Sequence, residues 1–229
     1  MGRGVVAVGD SIIEGGTKPQ FTPAQSWAQH LAEAGNWPFT KYARGGHLSQ
    51  NVVDEQLARI VHDDYDVAAV TVGANDLLYR WDAATFTRNL GVILENLSEV
   101  AERVVVSNVP LAFRRIPGIP RSINLAVPAA NDIVVNAAGR HHALVVDVTD
   151  FDGPRWMCHD RVHPTALGLA EMGRRAAVLL GMPAPPVDSR RLGSRCIAAY
   201  AAGLAQECAR ATVKRALGGP SWAGPQGIS

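Results

Sequence analysis

Short runs of β-branched and small apolar residues alternate with longer stretches of helical periodicity, and this alternation limits the fold more than any other feature. Compact apolar runs occupy 5–8, 67–72, 104–106 and 143–146, with a weaker strand around 39–42. The run V-A-A-V-T-V at 67–72 is unbroken, as in a strand covered on both faces. Between the runs, helices are predicted over about 26–34, 51–61, 83–100, 122–140 and 165–180. The second places Val52, Leu57, Ile60 and Val61 on one stripe. Pro128 falls inside the fourth, so a kink or a late start is expected there.

Strands alternating with helices in this way predict an α/β fold, a parallel sheet with helices on both faces. Right-handed crossovers then place every strand's C-terminal end on one edge, where open α/β sheets bind ligands. Composition agrees with a packed globular chain. Hydrophobic residues make up 47% of the 229 and charged residues 19%, the reverse of the bias that keeps chains disordered. With 22 Lys+Arg against 21 Asp+Glu, the net charge of +1 gives no general attraction to nucleic acid or an anionic membrane. Cys158, Cys196 and Cys208 are odd in number and form no C-x-x-C pair, so a reducing compartment fits. The apolar run at 5–8 is too short for a signal peptide and the run at 196–205 too short to span a bilayer. The expected location is cytoplasmic, with no membrane insertion.

Two regions are expected, a main domain over 1–182 and an appendage over 183–229. The appendage opens on Pro183-Ala184-Pro185-Pro186, a stiff connector. A helix is predicted over about 193–217, with Ile197, Ala201, Leu204, Cys208 and Ala211 at helical spacing, before a Gly- and Pro-rich tail. Six basic residues against two acidic ones lie beyond 182. Packing on its own domain is the plain reading of this helix; a homodimer contact or a loose basic tail is the alternative.

Four clusters of reactive or donor residues fall at the predicted strand ends. They are Gly9-Asp10-Ser11-Ile12, Arg44-Gly45-Gly46-His47, Gly73-Ala74-Asn75-Asp76-Leu77 and His159-Asp160-Arg161-Val162-His163-Pro164. Acyl transfer needs a nucleophile, a base, a group that orients the base, and donors for the developing oxyanion. Ser11 can attack, His163 can take its proton, and Asp160 can hold the imidazole in the right tautomer. The backbone N–H groups of Ser11 and Gly45 and the side-chain amide of Asn75 can serve the oxyanion. Each residue alone has a plainer role: Ser11 or Asn75 as a helix cap or turn residue, Gly45-Gly46 as a turn, Asp160 and His163 as a surface pair. Four such clusters in order, each beyond a β element, argue against coincidence.

These blocks resemble those of the SGNH (GDSL-type) hydrolases. The likeness rests on G-D-S-I at 9–12, Gly45, G-A-N-D at 73–76 and D-R-V-H-P at 160–164, and covers about residues 4–181. It implies a three-layer α/β/α sandwich around a five-stranded parallel sheet of flavodoxin-like order, and an esterase or lipase-like serine hydrolase without a cofactor. It also implies Ser11 as nucleophile, Asp160 and His163 as the rest of a triad, and Gly45 and Asn75 as oxyanion donors. The stretch from Arg44 to Gln56 is similar to an actinobacterial branch of the family. Two positions depart from the pattern. Many members carry Asn a few residues before the second-block glycine, where this chain has Thr40-Lys41-Tyr42-Ala43. The residue after the triad aspartate is often Gly in the family and is Arg161 here.

Other motifs carry less. No G-x-S-x-G elbow is present, and the G-x-G-x-x-A match at 2–7 precedes a strand instead of following one. His159, Asp160 and His163 lack a fourth ligand for a metal site. Cys158 reads as a small filler, and His30, His62, His141 and His142 as solvated positions. Substrate contacts are expected from Ile12, Leu77, Tyr79, Phe113 and Met157, an apolar and aromatic set that suits an acyl group. Arg114 and Arg115 read as solvated. The expected activity is hydrolysis of small to medium acyl esters of small molecules. A carbohydrate deacetylase or a thioesterase on the same scaffold is the alternative, and a non-catalytic interaction protein the remote one.

Overall fold

A computed structural model describes residues 4–15, 25–61, 64–116, 119–184, 186–187, 201–203, 205–206 and 209. The predicted strands form at β1 (Val5–Gly9), β2 (Phe39–Lys41), β3 (Tyr65–Thr71), β4 (Ala101–Ser107) and β5 (Leu144–Val146). They pair in parallel as β2-β1-β3-β4-β5, the flavodoxin-like order. Residues alternate between the two faces of the sheet, as a pleated strand requires. Val6, Val8, Ala68, Val70, Val104 and Val106 enter one core with Phe86, Leu90, Ile93 and Val134. Val5, Ala7, Val67, Ala69 and Val105 enter the other with Trp27, Leu31, Leu169 and Met172. The sheet is therefore the middle of three layers.

The covering helices are α2 (Trp27–Ala34), α5 (Ala83–Val100), α6 (Arg121–Arg140) and α8 (Ala166–Leu179). Their starts follow side-chain caps where the sequence supplies one. Ser26 accepts the Ala28 N–H, Asp82 the Thr85 N–H and Thr165 the Gly168 N–H, each satisfying a donor the helix leaves open. Helix α6 starts at Arg121 and continues through Pro128, so the late start does not occur. Where α2 meets α8, a Cβ on Gly173 would lie 2.5 Å from His30 Cβ. His30 is thus partly buried in this seam, not solvated, and burial lowers its pKa.

Short segments at the strand ends differ from expectation. The helix predicted over 51–61 is three pieces: α3 (Ser49–Asn51), a widened π turn (Val52–Gln56) and a 3-10 turn (Leu57–Arg59). The change of pitch turns Gln56 into the core, at 1% exposure, and leaves Val61 outside the stripe at 58%. Four further turns are α1 (Ser11–Glu14), α4 (Ala74–Tyr79), a 3-10 turn (Leu111–Arg115) and α7 (Gly153–Trp156). Among the described residues no helix is long and apolar enough to cross a membrane. Of the predicted C-terminal helix, 201–203, 205–206 and 209 are helical. Its remainder, Cys196, Cys208, the tail, His62 and the start of the 2–7 motif lie outside the described residues.

Candidate active site

Strand β1 delivers Ser11 through a turn that only glycine permits. Gly9 has φ +138°, and a Cβ there would lie 2.2 Å from the Thr71 carbonyl oxygen, a backbone clash with no relief. Asp10 then caps α1 by accepting the Ile12 N–H at 2.9 Å. The capping role open to Ser11 thus falls to its neighbour, and the Ser11 hydroxyl points elsewhere. It lies 2.9 Å from His163 Nε2, across 152 positions of sequence.

The loop carrying Asp160 and His163 is closed by a bridge between Met157 and Pro164. Within it, the Cys158 N–H donates to the His163 carbonyl at 2.8 Å and the Arg161 N–H to the Cys158 carbonyl at 3.0 Å. Asp160 Oδ1 accepts the N–H groups of Val162 and His163, and Asp160 Oδ2 lies 2.7 Å from His163 Nδ1. Both carboxylate oxygens are used, one to shape the turn and one to face the imidazole. Burial pushes the Asp160 carboxyl up, but the His163 charge and these hydrogen bonds outweigh it and leave its pKa below the ordinary value. Arg161, where the family often has Gly, sits at φ +57°. The turn thus uses the left-handed conformation that glycine adopts without steric cost. Beside this loop, the backbone of Gly203 packs on the His159 ring.

The oxyanion candidates come from three elements. Gly45 donates its N–H to Glu14 Oε2 at 2.9 Å. Asn75, buried at the start of α4, donates to the His47 carbonyl at 2.9 Å. Next to it, buried Asp76 accepts from the Ser49 N–H and hydroxyl, which ties the third block to the start of α3 just beyond the second; burial raises its pKa. Gln56 Nε2 lies 3.0 Å from His47 Nδ1, and the same side chain bonds Gly9. Glu14, His47, Gln56 and Asp76, to which the sequence assigned no role, thus hydrogen-bond to or beside the candidate donors and the end of β1. Gln56 carried a signal: a polar residue between Val52 and Ile60 at i+4 spacing, on the face that had to be buried.

The expected substrate residues divide. Tyr79 is 50% exposed, whereas Ile12, Leu77, Phe113 and Met157 are buried. Leu77 and Phe113 belong to the core on one side of the sheet, Ile12 and Met157 to the core on the other. Phe113 has no accessible surface because the turn at Leu111–Arg115 directs its ring inward. In this structure it packs the fold instead of lining a pocket. Cys158 is buried, as a filler would be. Arg114 is exposed, and Arg115 pairs with Asp152. Among the described residues no three His, Cys, Asp or Glu side chains converge to hold a metal ion.

Solved structures share this architecture at low sequence identity. An acetylxylan esterase of Geobacillus stearothermophilus aligns with TM-score 0.61 at 13% identity, covering 80% of this chain and 98% of its own. A lipolytic protein of the G-D-S-L family from Veillonella parvula aligns with TM-score 0.58 at 22% identity, covering 81% and 98%. An α/β hydrolase from the metagenome of Lake Arreo gives TM-score 0.60 at 15% identity, covering 77% and 94%. No curated protein matches the chain. Residues 7–171 match the GDSL-like lipase/acylhydrolase family model; this span holds all four blocks and most of the chain, which therefore belongs to that family.

Proposed function

We propose that this protein is a serine esterase that cleaves short acyl esters through a covalent acyl-enzyme. The observation that carries the reading is the alignment of Ser11 Oγ, His163 and Asp160, with contacts of 2.9 and 2.7 Å on opposite sides of one imidazole. With Asp160 ionised, the Nδ1 proton is held toward the carboxylate, and Nε2 is left to accept the Ser11 proton. Ser11 Oγ adds to the ester carbonyl as His163 takes that proton. The alcohol leaves with the proton returned from Nε2. Water, deprotonated by the same imidazole, then releases the acid. Gly45, Asn75 and the Ser11 N–H are the candidate donors to the oxyanion; one such donor is typically worth ~10²–10³ in rate.

The buried state of Leu77, Phe113 and Met157 favours a small acyl group over a long one. A carbohydrate deacetylase is therefore the second reading, since acetyl is the smallest common acyl group. Hydrolysis of p-nitrophenyl acetate, butyrate and octanoate and of an acetylated xylooligosaccharide, by wild type and Ser11→Ala, tests both. The expected result is loss of ~10³-fold or more in Ser11→Ala and falling kcat/KM with chain length. Equal activity of the two proteins overturns the serine mechanism.

A further inference from the structure

We infer that Glu14 is a positioning residue that occupies the oxyanion donor of Gly45 at rest, and that Lys41 receives its carboxylate when substrate binds. The inference rests on the esterase reading above, with Gly45 as a donor. Glu14 lies three residues after Ser11 on the single turn of α1, so both side chains project on neighbouring faces. Its Oε2 accepts the Gly45 N–H at 2.9 Å. A Cβ at Gly45 would lie 2.7 Å from that oxygen and 3.6 Å from Ser11 Cβ. The absence of a side chain at 45 thus lets the carboxylate reach the N–H close to the nucleophile.

One N–H carries one proton. It cannot serve the carboxylate and a tetrahedral oxyanion equally, and the two negative charges repel at this range. An ester carbonyl that uses Gly45 must therefore displace Glu14. The carboxylate has a place to go. Lys41, the last residue of β2 and exposed, directs its ammonium to the backbone carbonyl of Glu14 itself, so a cation stands beside the same residue. Glu14 then has two partners for one carboxylate, Gly45 N–H at rest and Lys41 during turnover. Because kcat/KM is referred to the free enzyme, the resting contact lowers it by the cost of breaking that contact.

The test is kcat/KM for p-nitrophenyl acetate in Glu14→Gln, Lys41→Met and the double variant, with Ser11→Ala as control. Affinity for phenylboronic acid, which forms a tetrahedral anion on a serine, is measured alongside. Glu14→Gln keeps the shape and an acceptor but removes the charge. Its kcat/KM is expected to rise roughly 5- to 30-fold, the range of a charge-assisted hydrogen bond partly retained, and boronate affinity to rise with it. Lys41→Met lowers kcat/KM in the wild-type background and has no effect beside Glu14→Gln. An unchanged or lower kcat/KM with weaker boronate binding in Glu14→Gln overturns the inference; the Gly45 N–H would then be a structural tie, with the donor elsewhere. An equal effect of Lys41→Met in both backgrounds removes the role of Lys41. Turnover that survives Ser11→Ala, or no turnover and no boronate binding at all, overturns the esterase reading as well.

Discussion

Gln56 Oε1 accepts the N–H of Gly9 at 2.7 Å while its Nε2 donates to the Gly9 carbonyl at 2.8 Å. This pair of bonds is what a neighbouring strand would supply. Strand β2 pairs with β1 only as far as Lys41 opposite Ala7, so among the described residues the end of β1 lacks a strand partner on that side. The π turn brings a side-chain amide into the vacated position, two residues from Ser11. Wide turns of this kind recur at functional sites.

Replacing Gln56 with the isosteric but apolar Met removes both bonds. Leaving buried backbone groups unpaired costs about 1–3 kcal/mol each, although the Gly9 carbonyl keeps the Arg44 N–H. We expect Gln56→Met to lose about 2–4 kcal/mol in urea unfolding. In addition, kcat per site, counted with a fluorophosphonate titrant, is expected to fall ~10- to 100-fold through misplacement of Ser11. Stability loss with unchanged kcat per site would make Gln56 a structural residue alone.

Asp10 is fully buried, and among the described residues its Oδ2 has no hydrogen-bond partner. Burial raises its pKa from 3.8 to about 7, against the Ile12 N–H and His163, which lower it. The folded protein therefore holds a proton here that the unfolded chain releases above pH 3.8. Stability from this group is fully present below that value and is lost as pH rises toward about 7. Asp10→Asn keeps an acceptor for Ile12 and carries no charge. It should match wild type in stability near pH 4 and exceed it by up to about 4 kcal/mol at pH 8, read from urea midpoints across the range. A constant difference at all pH values would show that Asp10 does not titrate in this window.

In Asp160→Asn the amide oxygen is held by the N–H groups of Val162 and His163. The NH₂ group must then face His163 Nδ1, which becomes an acceptor, so the imidazole proton moves to Nε2 and opposes Ser11. We expect kcat to fall by ~10³–10⁴ with little change in KM. A loss below ten-fold would show that His163 holds its tautomer without the carboxylate.

Phe113→Ala separates a packing role from a substrate contact. With no exposed surface on the ring, the cost should be about 3–5 kcal/mol of stability. KM for p-nitrophenyl acetate should change less than about two-fold, well under a tenfold step. A rise in KM for butyrate and octanoate without loss of stability would return Phe113 to the pocket.

The strands were legible because a parallel sheet buried on both faces demands runs such as 67–72. The long helices were legible because α5 and α8 bury one side of many turns. Turns of four to six residues, α1, α4 and α7 among them, carry too few residues for a period to show. The π turn broke the period of its own segment, so the stripe through Val52 and Ile60 pointed to Val61, while the inward residue was Gln56.

Sequence alone determined the layer order, the parallel sheet, and which reactive residue types stand at which strand ends, since these follow from local hydrophobic pattern and from chain order. Tertiary structure decided that Asp10 caps α1 while Ser11 meets His163, that Phe113 faces the core, and that Glu14 rests on Gly45. The reason is physical. Each of those outcomes is a choice between partners of similar chemistry, and the winner is set by distance and burial between residues brought together only by folding, up to 152 positions apart in the case of Ser11 and His163.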